Sequence, residues 1–213
     1  MKRHALLKEG IPTLLVILVL GIILFIIQPW LSLIAIGLLL FVLYFFRDPA
    51  RNPEEIEGVV ISAADGVVTD IQEIEDPEFM EGKATCISIF LSPLDVHVNR
   101  SPVQGEIVYQ KYVKGRFISA TKPESHQVNE KNYIGIESAY GKIMVVQIAG
   151  MMARRIVSWV TPVQSVHTAD KIGMIKFGSG TQIWVNQNVE VVISVGDRVR
   201  SGKTVIGRVK SRD

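Results

Sequence analysis

The pattern of apolar and polar positions divides the chain into two regimes. From Ile11 to Ile27 almost every position is apolar, Gln28-Pro29-Trp30 interrupts, and Leu31 to Phe46 is apolar again. Each run would span about 25 Å as a helix, slightly short of the ~30 Å hydrocarbon core of a bilayer. Proline beside a polar residue suits a tight turn, and Trp30 suits an interface. Lys2, Arg3 and Lys8 precede the first run and Arg47 and Arg51 follow the second, with no basic residue at the turn. The positive-inside rule then puts both outer ends in the cytoplasm. The pattern predicts an N-terminal hydrophobic helical hairpin over residues 1–47, dipping into or crossing the cell membrane, with the rest of the chain on the cytoplasmic side. A cleaved signal peptide fits less well, because no small-x-small site follows the first run and a second apolar run does.

Arg47-Asp48-Pro49-Ala50-Arg51-Asn52-Pro53 is a polar, proline-punctuated boundary. Beyond it, short β-type runs are separated by Gly, Asp, Asn and Pro. Strands are predicted near Val59–Ser62, Val67–Ile71, Thr85–Leu91, Glu106–Tyr112, Tyr133–Glu137, Ile143–Ile148, Ile156–Thr161, Met174–Phe177, Gln182–Val185, Glu190–Ser194 and Thr204–Val209. No helix of ordinary length is predicted after residue 50, although Met151–Arg155 suits a single helical turn. The spacing predicts a mainly β fold: residues 48–213 as a compact β-sandwich or barrel. The tail from Ile193 to Val209, strand, Gly-Asp turn, Gly-Lys turn, strand, resembles the closing hairpins of barrel-sandwich hybrid folds of the lipoyl and biotinyl type.

Composition changes this picture little. The positive mean hydropathy of the 213-residue chain is concentrated at the front, and the remaining residues have an ordinary composition for one globular domain with its own core. A net charge of +2, with basic residues clustered no further than short pairs, gives no reason to expect nucleic acid. The one cysteine, Cys86, excludes an internal disulfide and falls in an apolar run.

Three stretches can carry chemistry. The first is Gly178-Ser179-Gly180, a hydroxyl flanked by two residues without Cβ, which leaves the Gly178 carbonyl open to attack by its neighbour. Read alone, Gly-Ser-Gly between two strands is a hairpin turn. The second is Ser62-Ala63-Ala64-Asp65-Gly66, where Asp65 reads locally as a turn aspartate. The third is Ser92-Pro93-Leu94-Asp95-Val96-His97-Val98-Asn99-Arg100-Ser101-Pro102, a loop rich in reactive side chains and pinned by prolines, which is how functional loops are built.

Taken with Gln147-Ile148-Ala149-Gly150 and Ala153-Arg154-Arg155, these stretches resemble the phosphatidylserine decarboxylase proenzymes, specifically their short membrane-anchored form, over residues 45 to 209. The resemblance implies self-cleavage between Gly178 and Ser179 into a β chain (1–178) and an α chain (179–213). Ser179 becomes a pyruvoyl group, the cofactor, with neither a metal nor pyridoxal phosphate required. That group takes up the substrate amine and serves as the electron sink for loss of CO2, the part pyridoxal phosphate plays elsewhere. The implied substrate is a membrane phospholipid, phosphatidylserine, or archaetidylserine in an archaeal member; a homo-oligomer is compatible with this.

The resemblance also assigns roles. Asp65 and His97 would orient and deprotonate Ser179, and His97 would protonate the product carbanion. Arg154, Arg155 and Arg100 are candidates to bind the substrate's carboxylate or phosphate, the alternative for the 154–155 pair being a solvated basic surface. Two departures stand out. Longer members of the family carry a second histidine where this chain has Arg100, leaving His126 and His167 as further histidines past the hairpin. A longer polar residue is frequent where this chain has Gly180. A non-catalytic reading also stands at this point: a membrane-anchored barrel-sandwich adaptor or carrier domain, with Lys176 as a faint echo of an attachment lysine.

Overall fold

The computed structural model describes residues 8–51, 57–119, 124–150, 155–176 and 179–210. The chain divides into two compact units, residues 1–50 and 51–213.

In the first unit, a short 3-10 turn leads into helix α1 (Ile11–Ile27), a second 3-10 turn covers Pro29–Leu31, and helix α2 spans Ser32–Phe45. Pro12 falls in the first turn of α1, where its missing N–H breaks no helical bond. Neither helix has a polar face, and Val16, Ile26 and Leu33 are among many large apolar side chains that point outward. Small residues set the close contacts: a Cβ on Gly21 would lie 3.1 Å from that of Ala35. With the residues leading into it, α1 forms a helix from Lys8 to Ile27, long and apolar enough to cross a membrane. At the far end of the hairpin the Arg47 guanidinium lies 3.6 Å over the Tyr44 ring.

The second unit is mainly β, as the strand pattern predicts. Its strands are β1 (Val59–Ile61), β2 (Gly66–Asp76), β3 (Gly82–Leu91), β4 (Val98–Arg100), β5 (Gly105–Val113), β6 (Lys131–Ser138), β7 (Gly141–Ile148), β8 (Ile156–Ser158), β9 (Gln164–Val166), β10 (Lys171–Ile175), β11 (Ser179–Asn186), β12 (Val189–Val191), β13 (Arg198–Val199) and β14 (Val205–Val209). A single helical turn, α3 (Ser125–Val128), precedes β6. The predicted run Ile156–Thr161 stops at Ser158. Residues 151–154, which hold most of the predicted helical turn, lie outside the described residues.

Eight strands form the main sheet in the order β13-β2-β3-β11-β7-β6-β5-β9, all neighbours antiparallel. Two smaller sheets, β4-β10-β8 and β1-β14-β12, complete the unit. The β2–β3 hairpin and the β5-β6-β7 meander are local in sequence. Strand β11 arrives from near the C-terminus and inserts between β3 and β7. Gly66 permits the start of β2 against β3, because a Cβ there would meet the Phe90 carbonyl oxygen at 2.2 Å.

One face of the main sheet packs on the principal core, with Ile87, Ile89, Ile143, Val145, Ile134, Ile136, Ile183 and Val185 all buried. The other face carries a second cluster that includes Phe79, Met144, Val146 and Ile148, edged by Tyr109, Tyr133 and Trp184. On the core face the apolar rows end abruptly. Thr181, Gln147 and Asn132 stand beside one another on β11, β7 and β6 at the end where β11 begins, and all three are buried.

Candidate active site

The loop from Ser62 to Gly66 is closed by its own side chains. Ser62 Oγ donates to the Ala64 carbonyl at 2.7 Å. Asp65 Oδ1 accepts from the Ser201 amide at 2.8 Å and the Ser201 hydroxyl at 2.9 Å, and Oδ2 accepts from Arg51 Nη2 at 2.7 Å. Both oxygens are thus engaged in a buried setting, where a carboxylate without partners would be costly. The Ala63 carbonyl turns to β4 and accepts from the Arg100 amide at 2.9 Å.

After β3, residues 92–95 fold into a turn. The Asp95 amide donates to the Ser92 carbonyl at 2.9 Å, and Asp95 Oδ2 accepts from the Ser92 amide at 2.9 Å. Asp95 Oδ1 pairs with Arg198 Nη2. From Asp95 to Arg100 every residue is buried, and His97 is 0 % exposed. His97 Nδ1 lies 3.0 Å from the Asp95 carbonyl oxygen. A carbonyl can only accept, so Nδ1 carries a proton, and a neutral ring then has its lone pair on Nε2.

Strand β10 brings the third stretch to this histidine. Val98 and Asn99 pair with Met174 and Gly173, and the Ile175 amide donates to the His97 carbonyl at 3.2 Å. Gly178 lies outside the described residues. Ser179 opens β11 opposite Leu91, the last residue of β3. The segment bearing His97 therefore starts beside Ser179 and is bonded to the strand that leads into it.

The other expected site residues are placed unequally. Asp65 and His97 belong to adjoining loops, but Nδ1 of His97 donates to the Asp95 carbonyl, and the Asp65 carboxylate is held by Arg51 and Ser201. Arg100 is only 5 % exposed and its guanidinium donates inward to the Ala169 carbonyl at 3.0 Å. Arg155 is exposed, and its carbonyl accepts from the Lys176 amide at 3.2 Å, beside the approach to Ser179. Arg154 lies outside the described residues. His167 sits in an exposed turn, its amide bonded to Asp170. His126 lies close to β11: a Cβ on Gly180 would be 3.7 Å from its Cε1, and Gln182 Nε2 is 3.4 Å from its Nδ1. Burial holds the His126 pKa below the usual histidine value, with Lys131 acting in the same sense and Asp70 against it. Lys176 follows directly on β10 with its amide bonded to Arg155, rather than occupying a hairpin tip as a carrier lysine would.

Several residues around the site go unassigned by sequence reasoning. Arg51, Ser201 and Arg198 are charge or hydrogen-bond partners from distant positions. Asn99, Thr181, Gln147 and Asn132 form a buried chain of side-chain hydrogen bonds. Their signal was present in the alternation. Asn132-x-Ile134-x-Ile136, Ile143-x-Val145-x-Gln147 and Thr181-x-Ile183-x-Val185 each end an inward-facing apolar series on a polar residue.

A family model described as phosphatidylserine decarboxylase matches residues 38–207. Among curated relatives, the phosphatidylserine decarboxylase proenzyme of Carboxydothermus hydrogenoformans is 47 % identical over 204 residues, covering 95 % of this chain and 96 % of the relative. The proenzyme of Symbiobacterium thermophilum is 42 % identical over 210 residues, 98 % of each chain. That of Syntrophus aciditrophicus is 36 % identical over 203 residues, 94 % of this chain and 95 % of the relative. A mainly β catalytic unit with an apolar N-terminal helix is thus the class to which fold and site assign the molecule. The chain belongs to the phosphatidylserine decarboxylase family.

Proposed function

We propose that this chain is a self-processing decarboxylase that converts phosphatidylserine to phosphatidylethanolamine and CO2, using a pyruvoyl group made from Ser179. His97 Nε2 takes the proton of the Ser179 hydroxyl, and Oγ attacks the Gly178 carbonyl carbon. The peptide C–N bond breaks, an ester to Oγ forms, and the proton passes to the freed Ser179 nitrogen. Removal of the Ser179 Cα proton then expels the Gly178 carboxylate from Cβ. The resulting dehydroalanine tautomerises, and water releases ammonia to leave the pyruvoyl. The chain is then a β chain, 1–178, and an α chain, 179–213. The site suits such a group, because β11 is hydrogen-bonded along both edges from its first residues and would hold a new chain end still. Once formed, the pyruvoyl supplies the electron-withdrawing carbonyl that decarboxylation requires.

Arg155, with Arg154, attracts the carboxylate and phosphate of the head group. Arg100 acts from within the wall, by fixing the strand after His97. Asp65 acts at one remove, holding the loop whose Ala63 carbonyl steadies that strand. His97 is the proton donor to the decarboxylated product. The apolar hairpin keeps the enzyme at the membrane that contains its substrate, and its basic flanks favour a cytoplasmic catalytic unit.

The observation that carries this reading is His97: wholly buried, with Nδ1 committed to the Asp95 carbonyl, on a segment bonded to the strand that leads into Ser179. Intact mass under denaturing conditions tests it. The purified protein is expected as two chains, the smaller starting at residue 179 and lacking a free amino terminus. Ser179→Ala is expected as one full-length chain without decarboxylase activity. Cleavage of that variant at the same bond would sink the mechanism.

A further inference from the structure

The buried chain of polar side chains on the core face is not used by the chemistry above. Asn132 Nδ2 donates to Gln147 Oε1 at 2.8 Å, Gln147 Nε2 to Asn99 Oδ1 at 2.9 Å, and Asn99 Nδ2 to Thr181 Oγ1 at 3.0 Å. The four residues are 2 %, 0 %, 0 % and 0 % exposed in that order. The sense of the chain is fixed at Asn99, whose Nδ2 also faces the Ala63 carbonyl at 3.4 Å, an atom that can only accept. Gly173 makes room for it, since a Cβ there would meet Gln147 Nε2 at 2.7 Å. Apolar side chains of the same shape would hold this region together about as well, because a buried hydrogen bond adds little net stability although a broken one is costly. What such a network provides is a unique geometry.

The geometry it fixes joins the two segments that must meet. Asn99 is two residues after His97, and Thr181 is two residues after Ser179. We propose that Asn99 is a positioning residue for self-cleavage: through Thr181 it holds the start of β11 in place against the segment that carries His97. Gln147 and Asn132 orient the Asn99 amide from behind. The proposal rests on the self-processing reading above.

The test is the rate of self-cleavage of the full chain, followed from synthesis of the precursor, beside melting temperatures measured in a Ser179→Ala background. Thr181→Val keeps the shape but removes the acceptor, and it is expected to slow cleavage about tenfold or more. Thr181→Ser restores a hydroxyl and is expected to recover most of the rate. Asn99→Leu is close in shape and makes neither the bond to Thr181 nor the one from Gln147, so it should slow cleavage at least as much as Thr181→Val does, and it serves if the valine variant does not fold. Asn132→Leu cuts the far end of the chain, and it should slow cleavage far less than Thr181→Val for a similar drop in melting temperature. Cleavage of Thr181→Val and Asn99→Leu at the native rate would overturn the proposal. So would rates that follow melting temperature alone across all four variants. A native chain that never cleaves would instead overturn the self-processing reading itself.

Discussion

Asp65 accepts three hydrogen bonds from two distant parts of the chain, and the side chain of its partner Arg51 is 8 % exposed against 11 % for its own. Removing one partner of such a pair leaves the other charge uncompensated in a poorly solvated place. Arg51→Ala is therefore expected to lower stability by about 3–5 kcal/mol, with a smaller loss for Arg51→Lys. Chemical denaturation in the Ser179→Ala background measures this without interference from cleavage. Ser179 and His97 were singled out as candidates in the sequence because several short motifs stood together around them. Arg51 was not, because the linker around it reads only as polar and its partner lies 14 positions away. Gly180, a departure at the motif level, is not demanded by space: a Cβ there would have ordinary contacts with His126, Ile148 and the Ile89 carbonyl.

At the level of elements, alternation and apolar runs marked the long strands well, and the helical hairpin breaks at the proline where the pattern breaks. Strands β4, β9 and β13 escaped because two or three residues carry no period. The order of the sheet escaped too. Nothing local in Thr181–Val185 says that this strand enters between β3 and β7, since its partners lie 34 to 100 positions away. The turn α3 was also invisible, yet it lays His126 beside β11. The folded state holds this imidazole's pKa down, so the unfolded chain takes up a proton more readily. The resulting stability is present above the unfolded value of ~6.5 and is lost as pH falls from there through the lower folded value. Melting temperature should therefore fall between pH 7.5 and 5.5, and His126→Gln should flatten that part of the profile. An unchanged slope in the variant would assign the acid sensitivity elsewhere.

For the whole molecule, the proposed cut falls at the start of a strand that is paired along both edges. The 179–213 segment supplies β11 to the middle of the main sheet, β13 to its edge, and β12 and β14 to another sheet, and its Ser201 clasps Asp65. The two chains are expected to co-purify through salt and detergent and to part only in denaturant, as denaturing against native size measurement will show.

That placement of β11 has a consequence for the lifetime of the enzyme. Before the cut, the central strand is tethered to its sheet and closes by an intramolecular step. Afterwards, the same strand must find its place from solution, at the far lower concentration of a free fragment. Refolding of the uncut Ser179→Ala chain should not depend on protein concentration, whereas recovery of the matured enzyme should rise with it. On the proposed cleavage, maturation makes recovery from unfolding depend on concentration, and in dilute solution the working lifetime is set by how slowly the sheet opens rather than by how favourably it closes.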